Sequence, residues 1–443
     1  MTYNEAFEYL VSSYTKGKKR SFADLLVFLT PFDNPQEKIP IIHVAGTNGK
    51  GSVCAMLAGI LRKQGYSVGM FTSPDLHKFN ERFVIDGEPI TDEEFAKYMA
   101  IVKVRSKELF GEEIVSYFQI LTLIAFMYFA DKQVDFLLLE TGIGGRLDST
   151  NIILKPVLSV INTIDFDHME ILGDTIEQIA AEDCGIIKEN CPVVLYKQGD
   201  LVYNVVKRHA DGKNARLYCP NFYEHEIFLN DLQGMEFCIK TDLYEYKRIK
   251  MKLIGEYQIS NSATVLTAVE ALRESGIDIS EESVLTGLVE TVWPGRMEVL
   301  EYQGRTIILE GAHNVQGAKS LASNMKVYAK NANGEKRNVT LLAAVMRDKQ
   351  YAEIINHVMG IADSAVLTKP AYGVRAADVS ALFHAIECEN KDGKTVITER
   401  DFNRALGKAV KLTLPDGIIV CTGSLYLVGD VRAVVKGIGK RRD

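Results

Sequence analysis

A glycine-rich segment near the amino terminus carries one lysine and two hydroxyl side chains in an arrangement that suits phosphate binding. It reads HVAGTNGKGS over residues 43–52, after an apolar stretch and before a stretch with helical spacing. Glycines let backbone N–H groups approach an anion, and the positive end of a helix dipole attracts it. Lys50 can reach the β- and γ-phosphates of a nucleotide, while Ser52 or Thr47 can face a magnesium ion.

This segment differs from the common P-loop pattern at two positions. Val44 stands where the pattern has its first glycine, and Gly51 follows the lysine in place of Ser or Thr. The simplest alternative is a glycine-rich turn with one exposed lysine. Because a strand, a loop and a helix are predicted in the order that a phosphate site requires, we favour the phosphate site.

An acidic residue and a histidine farther along the chain could serve a metal ion. Glu140 ends the apolar segment VDFLLLE beside a glycine-rich turn. A carboxylate at the carboxyl end of a strand is well placed to hold a hard cation, although a helix cap is an equal alternative. His168 follows Asp165 and Asp167, and a lone histidine is more often a hydrogen-bonded structural residue than a ligand. The residues alone therefore leave the metal site open.

These residues lie on a chain whose first half alternates between strand and helix patterns. Segment 53–61 places apolar residues on one helical face and ends before Gly65. Three apolar runs predict buried strands, at 39–45, 134–139 and 157–161. Such alternation predicts a mostly parallel sheet with helices on both faces. The apolar run 117–130 is shorter than the roughly 20 residues of a membrane-spanning helix, so we expect a buried core helix.

The second half contains two further units. Partial two-residue alternation over 224–253 predicts a small antiparallel meander. After the segment Trp293-Pro294-Gly295-Arg296 a second α/β series begins, with candidate strands at 306–309, 339–344, 365–368 and 418–421. Because a Pro-Gly pair is a plausible domain joint, we place an ATP-binding domain at 1–296 and a smaller domain at 297–443.

Composition and charge exclude several classes of protein. The chain has 443 residues, of which 47% are hydrophobic and 25% charged, as in soluble globular proteins of two or three domains. Its net charge of −7 leaves no basic surplus for nucleic-acid phosphates. The seven cysteines form no CxxC pair, and the amino terminus lacks a signal-peptide pattern. We expect a cytoplasmic monomer that binds neither nucleic acid nor membrane.

The phosphate-loop sequence HVAGTNGKGSV resembles the folylpolyglutamate synthase branch of the Mur ligase superfamily. The resemblance continues in the family's order along nearly the whole chain. It includes FTSP at 71–74, FNER at 79–82, ETGIGGRLDSTN at 140–151, DHMEILGDTIEQIA at 167–180, GEYQISNSA at 255–263, WPGR at 293–296, EGAHN at 310–314 and TGSLYLVG at 422–429. Several of these motifs are weak alone, but eight of them in one order argue against chance.

This resemblance implies a fold and an activity. The fold is α/β: a Mur ligase-like P-loop ATPase domain with a mostly parallel sheet and a small antiparallel meander, followed by a Rossmann-like carboxy-terminal domain. The activity is ATP-dependent ligation of L-glutamate to a folate through an acyl phosphate, with ATP and Mg²⁺ as cofactors. Ligation of glutamate to dihydropteroate stays open. The alternatives are a Mur-type ligase for another carboxylate and amino acid, and a nucleotide-binding regulator without ligase activity.

The resemblance also implies roles for individual residues. The implied metal ligands are Ser73, Glu140 and His168, and Arg82 is a candidate for holding an anionic group of the folate. The implied ATP-binding residues are Thr47, Asn48, Gly49, Lys50, Gly51, Ser52, Asn261, Arg296, Glu310 and His313. We assign catalytic roles to Lys50, His168 and Asp183.

Five positions depart from the family's pattern. Asp183 stands where the family has a lysine that is carbamylated and serves a second metal ion. The others are Gln119 for Glu, Tyr257 for His, Glu310 for Asp and Asp75 for a frequent His, and we expect all of them at the active site. Because aspartate already carries the charge of a carbamate, on a shorter stem, we predict that Asp183 serves the second metal directly or through one water. The alternative is a solvated helix residue and a lost second site.

Overall fold

The amino-terminal part of the protein is built on an eight-stranded, mostly parallel sheet. The computed structural model describes residues 1–331, 333–371 and 375–438. The strands of this sheet are β1 (Ile41–Ala45), β2 (Val68–Phe71), β3 (Phe83–Ile85), β4 (Glu88–Pro89), β5 (Phe136–Glu140), β6 (Leu158–Ile161), β7 (Val193–Leu195) and β8 (Leu217–Tyr218). Their order is β4-β3-β2-β5-β1-β6-β7-β8, and only the pairings of β3 are antiparallel. Because β1 and β5 are parallel neighbours, the loop after β1 meets Glu140 at one edge of the sheet.

The helices of this part include one that begins at the phosphate loop and one that is buried on all sides. They are α1 (Tyr3–Lys16), α2 (Phe22–Leu29), α3 (Lys50–Gln64), α4 (Asp92–Phe110), α5 (Tyr117–Asp131), α6 (Met169–Leu172), α7 (Ile176–Asp183) and α8 (Asp200–Gly212). Helix α3 ends at Gly65, whose φ of 102° lets its N–H reach the carbonyl of Arg62. Helix α5 is buried throughout residues 119–129, which confirms the predicted core helix. Across the described residues, no helix is long and apolar enough to cross a membrane.

A three-stranded antiparallel meander follows the large sheet. Its strands are β9 (Tyr223–Asp231), β10 (Gly234–Thr241) and β11 (Glu245–Met251), with β10 in the middle, so the meander predicted over 224–253 is confirmed. Two helices come next, α9 (Glu256–Glu274) and α10 (Glu281–Glu290). Helix α10 packs closely on α3 because Gly287 has no side chain: a Cβ there would lie 2.6 Å from the backbone nitrogen of Ile60.

A six-stranded sheet forms the carboxy-terminal part. Its strands are β12 (Glu298–Tyr302), β13 (Arg305–Leu309), β14 (Val339–Ala343), β15 (Ser364–Leu367), β16 (Thr395–Thr398) and β17 (Ile418–Thr422). Their order is β12-β13-β17-β14-β15-β16, and only the β12–β13 pair is antiparallel. The helices are α11 (Val315–Tyr328), α12 (Tyr351–Met359), α13 (Val379–Ala385), α14 (Cys388–Lys391), α15 (Phe402–Leu412) and α16 (Leu425–Val435). The four predicted strands of this part are found within one residue at each end, whereas the half-exposed edge strands β12 and β16 were not predicted.

One apolar core joins the two parts. It contains buried residues of α3, β10, α9, α11 and β14, among them Ile60, Phe237, Leu266, Met325 and Leu341. Two hydrogen bonds cross the same seam: Gly255 N donates to the Tyr328 hydroxyl and Glu256 N donates to Asn324 Oδ1, each at 2.7 Å. The predicted α/β fold class is confirmed, and the domain boundary at residue 296 stays a prediction.

Candidate active site

The phosphate loop lies between β1 and α3, at the carboxyl edge of the large sheet. Gly49, with φ of 81°, is the N-cap residue that directly precedes α3. A side chain at this position would collide with the amides of Asn162 and Asn261, and the left-handed conformation favours glycine in any case. Glycine at this position therefore lets the loop backbone contact these two side-chain amides closely. The amino-terminal end of α3 follows directly after this contact.

A network of side chains supports the loop from below. Asn162 follows β6 and donates from Nδ2 to the carbonyl of Asn48 at 2.9 Å and to Asn261 Oδ1 at 3.0 Å. Thr264 Oγ1 donates to Asn162 Oδ1 at 3.0 Å, and Asn261 Nδ2 donates to Gln258 Oε1 at 2.8 Å. Asn261 thus positions the phosphate loop and also lines the cavity of about 710 Å³ described below. Sequence reasoning missed Asn162, although its place directly after a parallel strand was a usable signal.

The lysine and the hydroxyls of the loop have different surroundings. Lys50 Nζ donates to the carbonyls of Gly46 and Thr47 at 2.6 and 3.3 Å, so its charge stays above the loop. The Thr47 hydroxyl exchanges two hydrogen bonds with the backbone of Asp165, at 2.9 and 3.0 Å. Ser52 is buried and lines two of the cavities described below, the one of about 150 Å³ above the phosphate loop and the one of about 710 Å³ beside it. Ser52 is therefore the freer of the two hydroxyls predicted to face a metal ion.

A cavity of about 150 Å³ above the phosphate loop brings the predicted catalytic and metal residues together. Its lining includes Lys50, Ser73, Glu140, His168 and Asp183. Glu140 Oε2 accepts a hydrogen bond from the backbone N–H of Ser73 at 2.8 Å. Burial raises the pKa of Glu140, and the positive charge of Lys50 opposes that rise. Burial lowers the pKa of His168, which keeps its imidazole neutral and able to bind a cation.

The donor set of this cavity fits a magnesium ion shared with a nucleotide. Within the ranges that the structure describes, no three His, Cys, Asp or Glu side chains form a metal cage by themselves. Mg²⁺ is usually held by one or two carboxylates, with phosphate oxygens and waters in the remaining positions. Glu140 with the hydroxyls of Ser73 and Ser52 offers such a partial set of oxygens. The individual ligands stay predictions.

Asp183 is the last residue of α7 and is only 2% exposed. It faces the same cavity as Lys50, and no described group donates a hydrogen bond to its carboxylate. Burial raises its pKa to about 7, with Lys50 opposing the rise. The alternative of a solvated helix residue is therefore wrong, while the metal role stays a prediction. Lys188, five residues farther on, points elsewhere, because its Nζ donates to the Asn151 carbonyl at 3.1 Å.

Two larger cavities open on either side of the phosphate loop. One, of about 710 Å³, lies between the loop and the carboxy-terminal part and is lined by Asn48, Ser52, Asn261, Glu310 and His313 among others. The other, a groove of about 590 Å³, runs along α3 and is lined by Gly51, Ser73 and Glu140 at its inner end. Arg296 lines both of them and the small cavity between them. The three spaces therefore meet at the predicted phosphate position.

The carboxy-terminal residues of the site hold one another in place. Glu310 is buried and accepts from the Tyr257 hydroxyl at 2.7 Å and from Met297 N at 2.8 Å. Tyr257 and Glu310, two of the positions that depart from the family's pattern, thus form a pair. His313 Nδ1 bonds the Gly311 carbonyl at 2.9 Å, and burial lowers the pKa of His313 to about 4, so the ring is neutral.

Two of the predicted residues have surroundings that sequence reasoning did not foresee. Arg82 is 5% exposed, and its Nε and Nη2 both lie 2.7 Å from Asp75 Oδ1. The guanidinium of Arg82 therefore already has a buried carboxylate partner. Its predicted contact with the folate stays a prediction. Gln119 does not belong to the site: its amide exchanges two 2.8 Å hydrogen bonds with the backbone of Arg20. The expectation that all five departures cluster at the active site is wrong for Gln119.

Comparisons with known proteins agree over both parts of the chain. Residues 44–269 match the Mur ligase middle domain, and residues 295–425 match the Mur ligase glutamate ligase domain. The dihydrofolate synthase/folylpolyglutamate synthase of Bacillus subtilis is 34% identical, over 98% of this chain and 99% of its own. The crystal structure of folylpolyglutamate synthase from Thermotoga maritima has a TM-score of 0.83 and 33% identity, covering 99% of this chain and 98% of its own. The Mycobacterium tuberculosis folylpolyglutamate synthase, solved with ADP and AMPPCP, has a TM-score of 0.84 and 29% identity, over 96% of each chain.

The phosphate loop of the amino-terminal α/β part contacts the carboxy-terminal α/β part. Together with the match of both family domains in order along the chain, this arrangement defines an ATP-dependent ligase of the Mur type. The chain belongs to the Mur ligases and, within them, to the family of folylpolyglutamate and dihydrofolate synthases. The predicted family, fold class and ligase activity are confirmed. The alternative of a regulator without ligase chemistry finds no support.

Proposed function

We propose that this protein joins L-glutamate to a folate while converting ATP to ADP and phosphate. The relatives at 34% and 33% identity carry the name folylpolyglutamate synthase, and they align over nearly their full length. One observation on this chain carries the proposal: the cavity of about 710 Å³, which we propose holds the nucleotide, and the groove along α3 meet at the small cavity above the phosphate loop, with Arg296 lining all three. A γ-phosphate and a carboxylate must meet at one point to react, and this arrangement supplies that point.

The groove along α3 has the form that a long, flat substrate requires. Small residues of α3, namely Gly51, Ala55, Ala58 and Gly59, make one wall of the groove. Val68, Met70 and Val84 add apolar side chains to its lining, and Trp293 packs against Gly51, where a Cβ would lie 2.9 Å from the indole ring. From Gly51 to Arg62 the helix rises roughly 16 Å at 1.5 Å per residue. An aromatic body can lie against these apolar side chains while a carboxylate at one end reaches the space beside Glu140 and Arg296.

The chemistry follows from this placement. A carboxylate oxygen of the folate attacks the γ-phosphorus of ATP, ADP leaves, and an acyl phosphate forms. The amine of glutamate then attacks the acyl carbon, the C–N bond forms, and phosphate leaves with the C–O bonding electrons. Lys50 and Arg296 stabilise the negative charge that develops around the transferred phosphoryl group. Mg²⁺, held by Glu140, His168 and Ser73, would neutralise charge on the phosphate oxygens.

Asp183 and closure of the site complete the proposal. The buried carboxylate of Asp183 can serve a second cation directly or through one water, without a carbamylated lysine. The carboxy-terminal part, through Asn314 and Gln316, contacts Asn48 of the phosphate loop. Contact between the two parts excludes water from an acyl phosphate, which would otherwise hydrolyse.

An assay of ADP release tests this function. Purified protein is given ATP, Mg²⁺ and L-glutamate, together with a reduced folate, dihydropteroate or neither. We expect ADP only when the carboxylate substrate and glutamate are both present, and the dihydropteroate arm decides whether dihydrofolate is also made. ADP release with another carboxylate, and none with folates, would favour a Mur-type ligase of different specificity.

We also propose a cytoplasmic monomer divided at residue 296, supported by the separate sheets and the family domains that end at 269 and begin at 295.

A further inference from the structure

Asp167 is the residue through which charged side chains of the two parts meet. Its Oδ1 accepts from Lys349 Nζ at 2.5 Å, and its Oδ2 accepts from Asn314 Nδ2 at 3.3 Å and lies 3.8 Å from His313 Nε2. Among the described residues, the Lys349–Asp167 pair is the one ion pair that joins charged side chains of the part before residue 297 and the part after it. The side chains of Lys349 and Asp167 are only 13% and 11% exposed, so water screens the pair little.

The same carboxylate also fixes the backbone of a predicted metal ligand. The N–H of His168 donates to Asp167 Oδ1 at 2.9 Å, which is the oxygen that Lys349 contacts. His168 has φ of 49°, a left-handed conformation that is uncommon for residues other than glycine. Lys349, on the carboxy-terminal part, is therefore connected through one oxygen atom to His168 on the amino-terminal part.

We propose that Lys349 is a positioning residue of the ligation reaction, which acts through Asp167 to close the carboxy-terminal part over the phosphate loop and to orient His168. The proposal rests on the proposed role of His168 in the reaction. The opposite side of the interface is held by the apolar core and by the bonds of Gly255 and Glu256 to α11. These apolar contacts and backbone hydrogen bonds do not depend on the charge of Lys349, so its loss leaves the two parts joined there. Loss of Lys349 weakens the contact between the two parts only beside the phosphate loop.

Lys349→Met is the informative variant because it keeps the long stem and removes the charge. The matched control is Lys336→Met, since Lys336 pairs at 2.5 Å with Asp363 entirely within the carboxy-terminal part. Hydrogen exchange of the His168 amide, measured on the whole protein without substrates, should be faster in Lys349→Met than in the control and the wild type. Unchanged exchange in a folded Lys349→Met protein overturns the proposal. This exchange measurement requires no turnover, so its result does not depend on which carboxylate is the substrate.

Kinetics supply the second test. In Lys349→Met we expect kcat to fall by about 10²-fold, the loss that a misplacement of about 1 Å produces, while affinity for ADP is retained. Lys349→Arg should restore part of the rate because it restores the charge. Adding Asp167→Asn to Lys349→Met should then cost little more than either change alone. If the two losses multiply instead, Lys349 does not act through Asp167 and the proposal fails.

Discussion

Replacement of Asp183 by asparagine should make the protein more stable and less active at the same time. Asp183 is buried, faces Lys50 across the phosphate-loop cavity, and accepts no hydrogen bond from the described residues. A carboxylate in such a place disfavours the folded state unless a cation joins it. Asparagine keeps the shape of the side chain and removes the charge, so Asp183→Asn separates the two effects.

The size of the stability gain follows from the pKa of Asp183. Burial raises it from 3.8 to about 7, so the folded state binds a proton more tightly than the unfolded state does. The charged form therefore destabilises the fold increasingly as the pH rises through this range, and by roughly 4 kcal/mol above pH ~7, at about 1.4 kcal/mol per tenfold change in proton affinity. An asparagine amide buried without an acceptor costs about 1–3 kcal/mol of this gain. A net stabilisation of about 1–3 kcal/mol at pH ~8 remains, and it should turn into a net destabilisation near pH ~4, where the wild-type carboxyl is protonated in the fold and the cost of the buried amide persists.

Urea unfolding without magnesium, at both pH values, measures this gain. Turnover of the same variant, followed by ADP release across a magnesium titration without added bicarbonate, measures the loss of activity. Glu177→Gln is the matched control, because Glu177 is an exposed acid on the same helix α7. If Asp183→Asn matches the wild type in both stability at pH ~8 and magnesium dependence, the carboxylate is neither a buried charge nor part of the reaction, and our reasoning is refuted.

Three further substitutions test the site. Lys50→Ala should lower turnover by at least about 10²-fold with unchanged unfolding, because it removes the only cation of the loop; near-normal ADP release by a folded variant contradicts this. Glu140→Ala should raise the magnesium concentration needed for half-maximal turnover far more than it weakens ADP binding, and full activity at low magnesium would make Glu140 purely structural. Arg82→Ala should destabilise the fold by about 3–5 kcal/mol in urea unfolding, because it removes the buried guanidinium that pairs with the Asp75 carboxylate, whereas equal stability would show that the pair is dispensable.

Local sequence patterns predicted the elements that carry the phosphate site. The strand before residue 46, the glycine-rich loop and the helix up to Gly65 were all predicted, because each depends on residues that are neighbours in the chain. Strand ends were one or two residues off, as at β1, which begins at Ile41 and not at residue 39. The edge strands β12 and β16 were missed because their half-exposed residues give no continuous apolar run.

Contacts between distant segments could not be predicted in the same way. The pairing of Arg82 with Asp75 depends on how a loop folds back, so the sequence offered Arg82 as a free cation. The burial of Asp183 depends on the packing of α7 at the phosphate-loop cavity, and its sequence suited a solvated helix end equally well. Lys349 carried no signal, because its partner lies 182 positions away in the chain.

The shared apolar core has a consequence for how this enzyme loses its structure. Buried residues of both parts belong to one contiguous cluster, so melting either part exposes apolar surface of the other. The chain should therefore denature in a single cooperative step, although it carries two sheets with separate strand orders. Any nucleotide that binds between the parts then protects the entire chain, by RT ln(1 + [L]/Kd), and not merely the residues it touches.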